Sequence, residues 1–349
     1  MAHALPADIL MTVQQAAQRL AEGGLVAFPT ETVYGLGADA ENPAALARVY
    51  AVKGRPSNHP VIVHVSPEAD LGYWARSVPA EARLLMQAFW PGPLTLILPR
   101  AMHISSALSG GQDSIGLRCP SHPVAQALLR RFARLKPGGQ GGVAGPSANK
   151  FGHVSPTQAA HVSAEFPEMA DADLMVLEGG AAEVGIESTI VDLSRLGQGM
   201  GPVLLRPGHV SAAQLGAVLG AEPSRPDSAA PRVSGSLKAH YAPRTPLLLL
   251  PLDTLLRQAE LAALQAPGIR TAVVVFKAPL PLAAATPGSS SIEWHIAPAD
   301  PDEYARDMYA LLRRLDLGNY RCILWEQPPS GASWQAVNDR IGRAAAAFS

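Results

Sequence analysis

Residues 25–40 read LVAFPTETVYGLGADA, and this stretch decides the fold class. The first four residues are apolar and short enough for a buried strand. Pro29 then breaks the run, and Gly35 and Gly37 punctuate a turn-rich segment in which Thr30, Thr32 and Tyr34 carry hydroxyls. Upstream, residues 12–23 have helical periodicity and stop at Gly23-Gly24; downstream, residues 43–52 are helical again. Further strand-like runs fall at residues 61–65, 94–98, 114–118, 189–193 and 203–205, with another helix over 80–89. Helices and short buried strands interleaved in this way argue an α/β protein.

Periodicity lapses over residues 222–236, EPSRPDSAAPRVSGS, a stretch dense in Pro, Ser and Ala that reads as a linker. Beyond it, strands at 246–250, 271–276 and 321–325 alternate with helices over 253–265, 302–315 and 333–347. That alternation argues a second, smaller α/β domain with a mainly parallel sheet. Residues 278–291 read as a loose Pro/Ser-rich loop. The chain of 349 residues is therefore expected to divide into 1–221, a linker or lid over 222–245, and 246–349.

A 48% hydrophobic and 16% charged composition suits a folded soluble protein. With a formal net charge of -1, a globally basic surface for nucleic acid is not expected, although a local basic pocket is compatible. Cys119 and Cys322 are the two cysteines, far apart, which excludes a disulfide framework or a four-cysteine zinc site and points to a reducing cytoplasm. Residues 1–15 show no basic segment leading into a long apolar core, and the apolar runs are too short to span a bilayer. The histidines have no metal-ligand spacing, so no metal site is expected in the protein. P-loop, G-x-G-x-x-G and G-x-S-x-G motifs are absent, so any phosphate site must use side-chain cations and turn amides.

Three polar clusters could do so, and each has a plainer reading. PTETVYGLG (residues 29–37) permits close backbone approach to a ligand, or is a Gly-rich turn with capping threonines. KGRPSNHP (53–60) sets Lys53 and Arg55 two apart, which suits a triphosphate between them or a solvated helix end. GPSANKFGHVSPT (145–157) brackets Ala148 with Ser147 and Asn149, uncharged donors and acceptors for a nucleotide or for the loop's own turns. Single residues add to these. Arg118 and Arg206 end strand-like runs, where an arginine meets an anion or reaches solvent, and His64 interrupts VIVHV.

The ordered set PTETVYGLG, KGRPSNHP, FWPGPLTLIL (89–98), IGLRCPSHP, GPSANKFGHVSPT, ESTIVDL (187–193) and LLRPGHV (204–210) resembles the YrdC/Sua5 family over about residues 10–215. HYAPRTPL (240–247) is similar to the segment that introduces the extra C-terminal domain of the long Sua5 form. The resemblance implies a twisted open mixed sheet of YrdC type, with a second, Rossmann-like domain. It implies synthesis of threonylcarbamoyl-AMP and pyrophosphate from ATP, bicarbonate or CO2 and L-threonine, for threonylcarbamoylation of adenosine 37 in tRNA. By the same resemblance Lys53, Arg55 and Arg206 bind ATP phosphates, and Ser147, Asn149 and Ser188 contact the nucleotide. Thr32, His64 and Arg118 hold L-threonine, with Arg118 on its carboxylate, and Lys53, Arg55 and Thr32 act in catalysis. Tyr241 belongs to a linker that folds over the occupied site. Mg2+ comes with ATP, and the product passes to a tRNA threonylcarbamoyl transferase.

No covalent nucleophile is needed for this chemistry. Two departures stand out: Ser234 and Ser236 where the family usually places Pro and Met, and Phe151 and Val154 where Ser and Pro are more frequent. Two rivals compete with the synthase reading. An RNA-binding module without catalysis is weighed down by near-neutral charge and 5% aromatics, and a carbamoyl-transfer maturation factor would need cysteine-rich zinc fingers.

Overall fold

The computed structural model describes residues 5–265, 268–277 and 291–349. They fall into two compact units: residues 1–151 with 155–236, and residues 152–154 with 237–349.

The first unit contains β1 (Leu25–Phe28), β2 (Gly35–Asp39), β3 (Ile62–His64), β4 (Leu94–Pro99), β5 (Ser114–Arg118), β6 (Val143–Ala144), β7 (Leu174–Val176), β8 (Thr189–Asp192) and β9 (Val203–Arg206). They make one nine-stranded sheet in the order β7-β1-β2-β6-β3-β5-β4-β8-β9. The pairs β1–β7, β3–β5 and β4–β8 are parallel, and the others are antiparallel, so the sheet is mixed and twisted. Alternation along β1 explains why it is buried on both faces. Val26 and Phe28 pack with the helices Ala7–Ala21 and Pro123–Leu135, while Leu25 and Ala27 pack with the helix Pro43–Lys53.

Several elements of this unit lie outside the sequence expectations, among them β2, β6, β7 and the helix Pro123–Leu135. β2 is a strand where a turn was expected. Its glycines hide it, because glycine is depleted in strands. They are needed here: a Cβ on Gly35 or Gly37 would stand 3.0 Å from the Phe28 ring. The helix Pro123–Leu135 follows an unfamiliar cap, His122, whose Nδ1 accepts the Val124 N–H at 3.2 Å. The stretch 222–236, expected as a linker, packs onto the first unit as a strap. It starts beside β9, where Leu204 N–H donates to Ser224 O and Ser224 N–H to Pro202 O, each at 2.9 Å.

The second unit holds β10 (Leu247–Leu250), β11 (Thr271–Val275), β12 (Ile292–Ile296) and β13 (Ile323–Glu326), a parallel sheet in the order β10-β13-β11-β12. Its helices are Leu252–Gln265, Pro301–Asp316 and Gln335–Ala345. Asp300 starts the second of these by accepting the N–H groups of Asp302 and Glu303, both at 3.0 Å. β12, IEWHI, has no strand expectation. It lies at the sheet edge, where Glu293 and His295 need not be fully buried. Of the loop expected over 278–291, residues 278–290 lie outside the described residues. Among the described residues no helix is long and apolar enough to cross a membrane.

Candidate functional site

The candidate residues of the first unit gather at strand and helix ends on neighbouring elements. Lys53 is the last residue of its helix, closed by Gly54 in the left-handed conformation. Its buried Nζ donates to Ser147 O at 2.5 Å and to Asn149 O. The K-x-R and S-x-N segments are therefore tied together through the lysine and the loop backbone. The loop is held from its other side as well, where Leu36 N–H donates to Pro146 O and Ala148 N–H to Tyr34 O, at 2.7 and 2.8 Å. Burial, and then the nearby Arg55, hold the Lys53 pKa well below the usual lysine value. An arriving polyanion would reverse that bias, and the ammonium keeps a third N–H beyond the two carbonyls.

Arg55 and Arg206 converge on one residue. Arg206 donates from Nε to Ser188 O at 3.0 Å, and from Nη2 to Ser188 O and Oγ at 2.8 and 3.1 Å. Its Nη1 donates to Ser234 O at 2.9 Å, while Arg55 Nη1 donates to Ser234 Oγ at 3.4 Å and Arg55 Nη2 to Pro60 O at 2.7 Å. The oxygens of Ser234 thus sit between two buried guanidinium groups, as phosphate oxygens could. The strap is fixed here by Gln112, which accepts Arg232 N–H at 2.7 Å and donates to Arg232 O at 3.1 Å. Ser236, the other departure, donates its hydroxyl to Val233 O at 2.9 Å. Phe151 meets the His59 ring edge-on, with centroids 5.2 Å apart.

Behind Ser234, Val233 packs on Ile97 and Ile190, and these residues with Ile62 and Gly116 line a small apolar hollow of about 20 Å3. Ser188 Oγ also meets Thr95 Oγ1 at 2.8 Å, linking β4 to the Arg206 cluster.

A second cluster surrounds Arg118. In the parallel β3–β5 pair His64 stands opposite Arg118, and both side chains are buried. The His64 ring lies edge-on to Phe28 at 5.5 Å, and its Nδ1 has no hydrogen-bond partner among the described residues. Burial, with Arg118 as the second cause, pushes the His64 pKa down to about 3, so the ring is neutral at physiological pH. Thr30 Oγ1 donates to Val33 O at 2.6 Å, so in its 2.9 Å contact with Thr32 the Thr32 hydroxyl is the donor. The lone pairs of Thr32 Oγ1 remain for another donor. Arg118 donates to Gly92 O and to the carboxylate of Glu31.

Sequence reasoning missed Glu31, Thr95 and Gln112. Glu31 could have been found, because a carboxylate in a turn flanked by buried hydroxyl residues is seldom idle. Tyr241 lies in the second unit. Its backbone is left-handed (φ 62), and its ring packs on Tyr309 at 5.7 Å and under the Arg340 guanidinium at 5.5 Å. Among the described residues no group of three His, Cys, Asp or Glu side chains could hold a metal ion.

A family model described as telomere recombination, Sua5/YciO/YrdC, matches residues 18–208, and one described as the threonylcarbamoyl-AMP synthase C-terminal domain matches residues 210–346. The threonylcarbamoyl-AMP synthase of Pyrococcus abyssi is 33% identical over 346 residues, covering 95% of this chain and 93% of that protein. That of Bacillus subtilis is 39% identical over 242 residues, covering 68% of this chain and 66% of its own. The crystal structure of Pyrococcus abyssi Sua5 complexed with L-threonine superposes with a TM-score of 0.80 at 31% identity, covering 97% of this chain and 95% of that one. With both models and a relative of nearly equal length in agreement, the chain belongs to the Sua5/YciO/YrdC family, in the form that carries the threonylcarbamoyl-AMP synthase C-terminal domain.

Proposed function

We propose that this protein makes threonylcarbamoyl-AMP and pyrophosphate from L-threonine, bicarbonate or CO2, and ATP, supplying a tRNA threonylcarbamoyl transferase. The observation that carries the reading is the convergence of buried Arg55 and Arg206 on the oxygens of Ser234, with Arg206 ending a strand of the sheet that also carries the Arg118–His64 pair. Arg55, Arg206 and the remaining N–H of Lys53 take the triphosphate, and Ser147, Asn149 and Ser188 frame the nucleotide. Arg118 takes the threonine carboxylate. Neutral His64, through Nδ1, and Thr32, through its free lone pairs, accept hydrogen bonds from the amine and hydroxyl of the substrate.

Carbamate forms when the threonine nitrogen bonds to the carbon of CO2 with release of a proton, or to that of bicarbonate with its C–OH bond breaking and water leaving. A carbamate oxygen then attacks the α-phosphorus, and the bond to the departing pyrophosphate breaks. Alignment and charge neutralisation dominate such a displacement, which suits fixed guanidinium groups and no enzyme nucleophile. Mg2+ carried with ATP would add charge screening of the phosphates to that of Lys53, Arg55 and Arg206. The product is prone to hydrolysis, so exclusion of water from the occupied site would protect it.

The test is pyrophosphate release by the full chain with ATP, Mg2+, bicarbonate and threonine, each omitted in turn. Release should cease without threonine or without ATP. Undiminished release without threonine would overturn the reading.

A further inference from the structure

Glu31 sits in the turn between Thr30 and Thr32 and is 3% exposed. One carboxylate oxygen accepts Arg118 Nη2 at 2.6 Å, and the other accepts the backbone N–H of Ser121 at 3.1 Å. Its own backbone is pinned where Val184 N–H donates to Glu31 O at 2.8 Å. Glu31 is therefore fixed at both ends. Arg118 is 4% exposed, and its Nε donates to Gly92 O at 3.3 Å. Nε and one N–H of Nη2 are thus committed to the protein, and Nη1 has no acceptor among the described residues.

A guanidinium binds a carboxylate well only when the plane of its fork is set correctly, because its donors lie in that plane. Two anchors on Nε and Nη2 fix the plane and leave Nη1 as the outward donor. A buried ion pair is a poor source of net stability, so orientation is the better account of its presence here. We propose that Glu31 is a positioning residue for substrate recognition, holding the Arg118 guanidinium so that Nη1 meets the α-carboxylate of L-threonine. The proposal rests on the reading of Arg118 given above. It also accounts for an acid in a turn otherwise lined by hydroxyls: an arginine with nothing to balance it would be costly to bury before substrate arrives.

The experiment measures pyrophosphate release at varied threonine and varied ATP for the full chain and for Glu31→Gln, Glu31→Asp, Glu31→Ala, Arg118→Ala and the Glu31→Ala/Arg118→Ala pair. Glu31→Ala should raise KM for threonine about tenfold, with KM for ATP and kcat held within about twofold. Glu31→Gln keeps the reach and an acceptor oxygen and should be the mildest, and Glu31→Asp, charged but too short, should fall between Gln and Ala. In the Arg118→Ala background Glu31→Ala should add less than about twofold, because it acts through the arginine.

Asp milder than Gln, a parallel rise in KM for ATP, or multiplying effects in the double variant would each overturn the positioning role. The two readings fail separately. If Arg118→Ala raises KM for threonine while Glu31→Gln and Glu31→Ala leave it unchanged, Glu31 alone is wrong. If Arg118→Ala leaves it unchanged, the carboxylate role of Arg118 is wrong and the Glu31 proposal falls with it.

Discussion

His64 ends β3 opposite Arg118 with its ring closed off from water, and this gives it a pH signature. The folded-state pKa of about 3 lies below the ordinary value of 6.5, so the unfolded chain binds the proton first as pH falls. The contribution of this residue to stability is intact above pH 6.5 and is lost at about 1.4 kcal/mol per pH unit below it. His64→Gln should flatten the fall in thermal midpoint between pH 6.5 and 5 while raising KM for threonine. An unchanged slope in calorimetry would mean that the histidine is not held neutral. Arg206 belongs at the same scale. Arg206→Ala removes its contacts to Ser188 and Ser234, and loss of charge-assisted bonds of about 2 kcal/mol predicts a roughly 30-fold fall in kcat/KM for ATP. Steady-state kinetics at saturating threonine checks this.

At the scale of elements, the strand pair β4–β5 and the strap line the hollow behind Ser234. Gly116 faces that hollow from β5, and a Cβ there would stand 3.2 Å from Ile97 Cδ1 and 3.5 Å from Ile62 Cγ1. Gly116→Val should overpack this hollow against Val233 of the strap and raise KM for ATP about tenfold or more, with threonine affinity nearly unchanged. Equal effects on both substrates, read from the same kinetics, would mean that the strap does not border the ATP site. These elements were only partly legible. β1, β4 and β5 announce themselves as short apolar runs, and the strand-helix alternation of the second unit is plain. β2 was hidden because its glycines answer a steric demand of Phe28, distant in meaning though near in sequence. K-x-R and S-x-N could be picked out singly, but the bond of Lys53 to the Ser147 and Asn149 carbonyls joins segments 94 and 96 residues apart. No local pattern encodes such a link. The strap read as a linker for the same reason, since its partners Gln112, Arg55 and Arg206 lie in three separate segments.

For the molecule as a whole, the formal net charge of -1 conceals an uneven distribution. In the first unit Lys53, Arg55, Arg118 and Arg206 are all buried, and of these Arg118 has a carboxylate within 2.6 Å. Lys53 gives two N–H groups to backbone oxygens, and Arg55 and Arg206 give theirs to Ser234, Pro60 and Ser188. Buried cations gain more from a polyanion than surface cations do, because little water screens them. Ligand at about a hundred times its Kd contributes about 2.7 kcal/mol to the folded state, and at roughly 2–4 °C per kcal/mol the thermal midpoint should rise by about 5–10 °C. Mg2+-ATP should produce that rise, and sodium chloride at equal ionic strength should not. An RNA-binding surface predicts the reverse: stabilisation by mixed-sequence RNA that vanishes steeply with salt. Arg55→Ala/Arg206→Ala should lose most of the shift with ATP and keep any shift seen with threonine alone. If that double variant still gains the full shift with ATP, the triphosphate binds away from the two arginines.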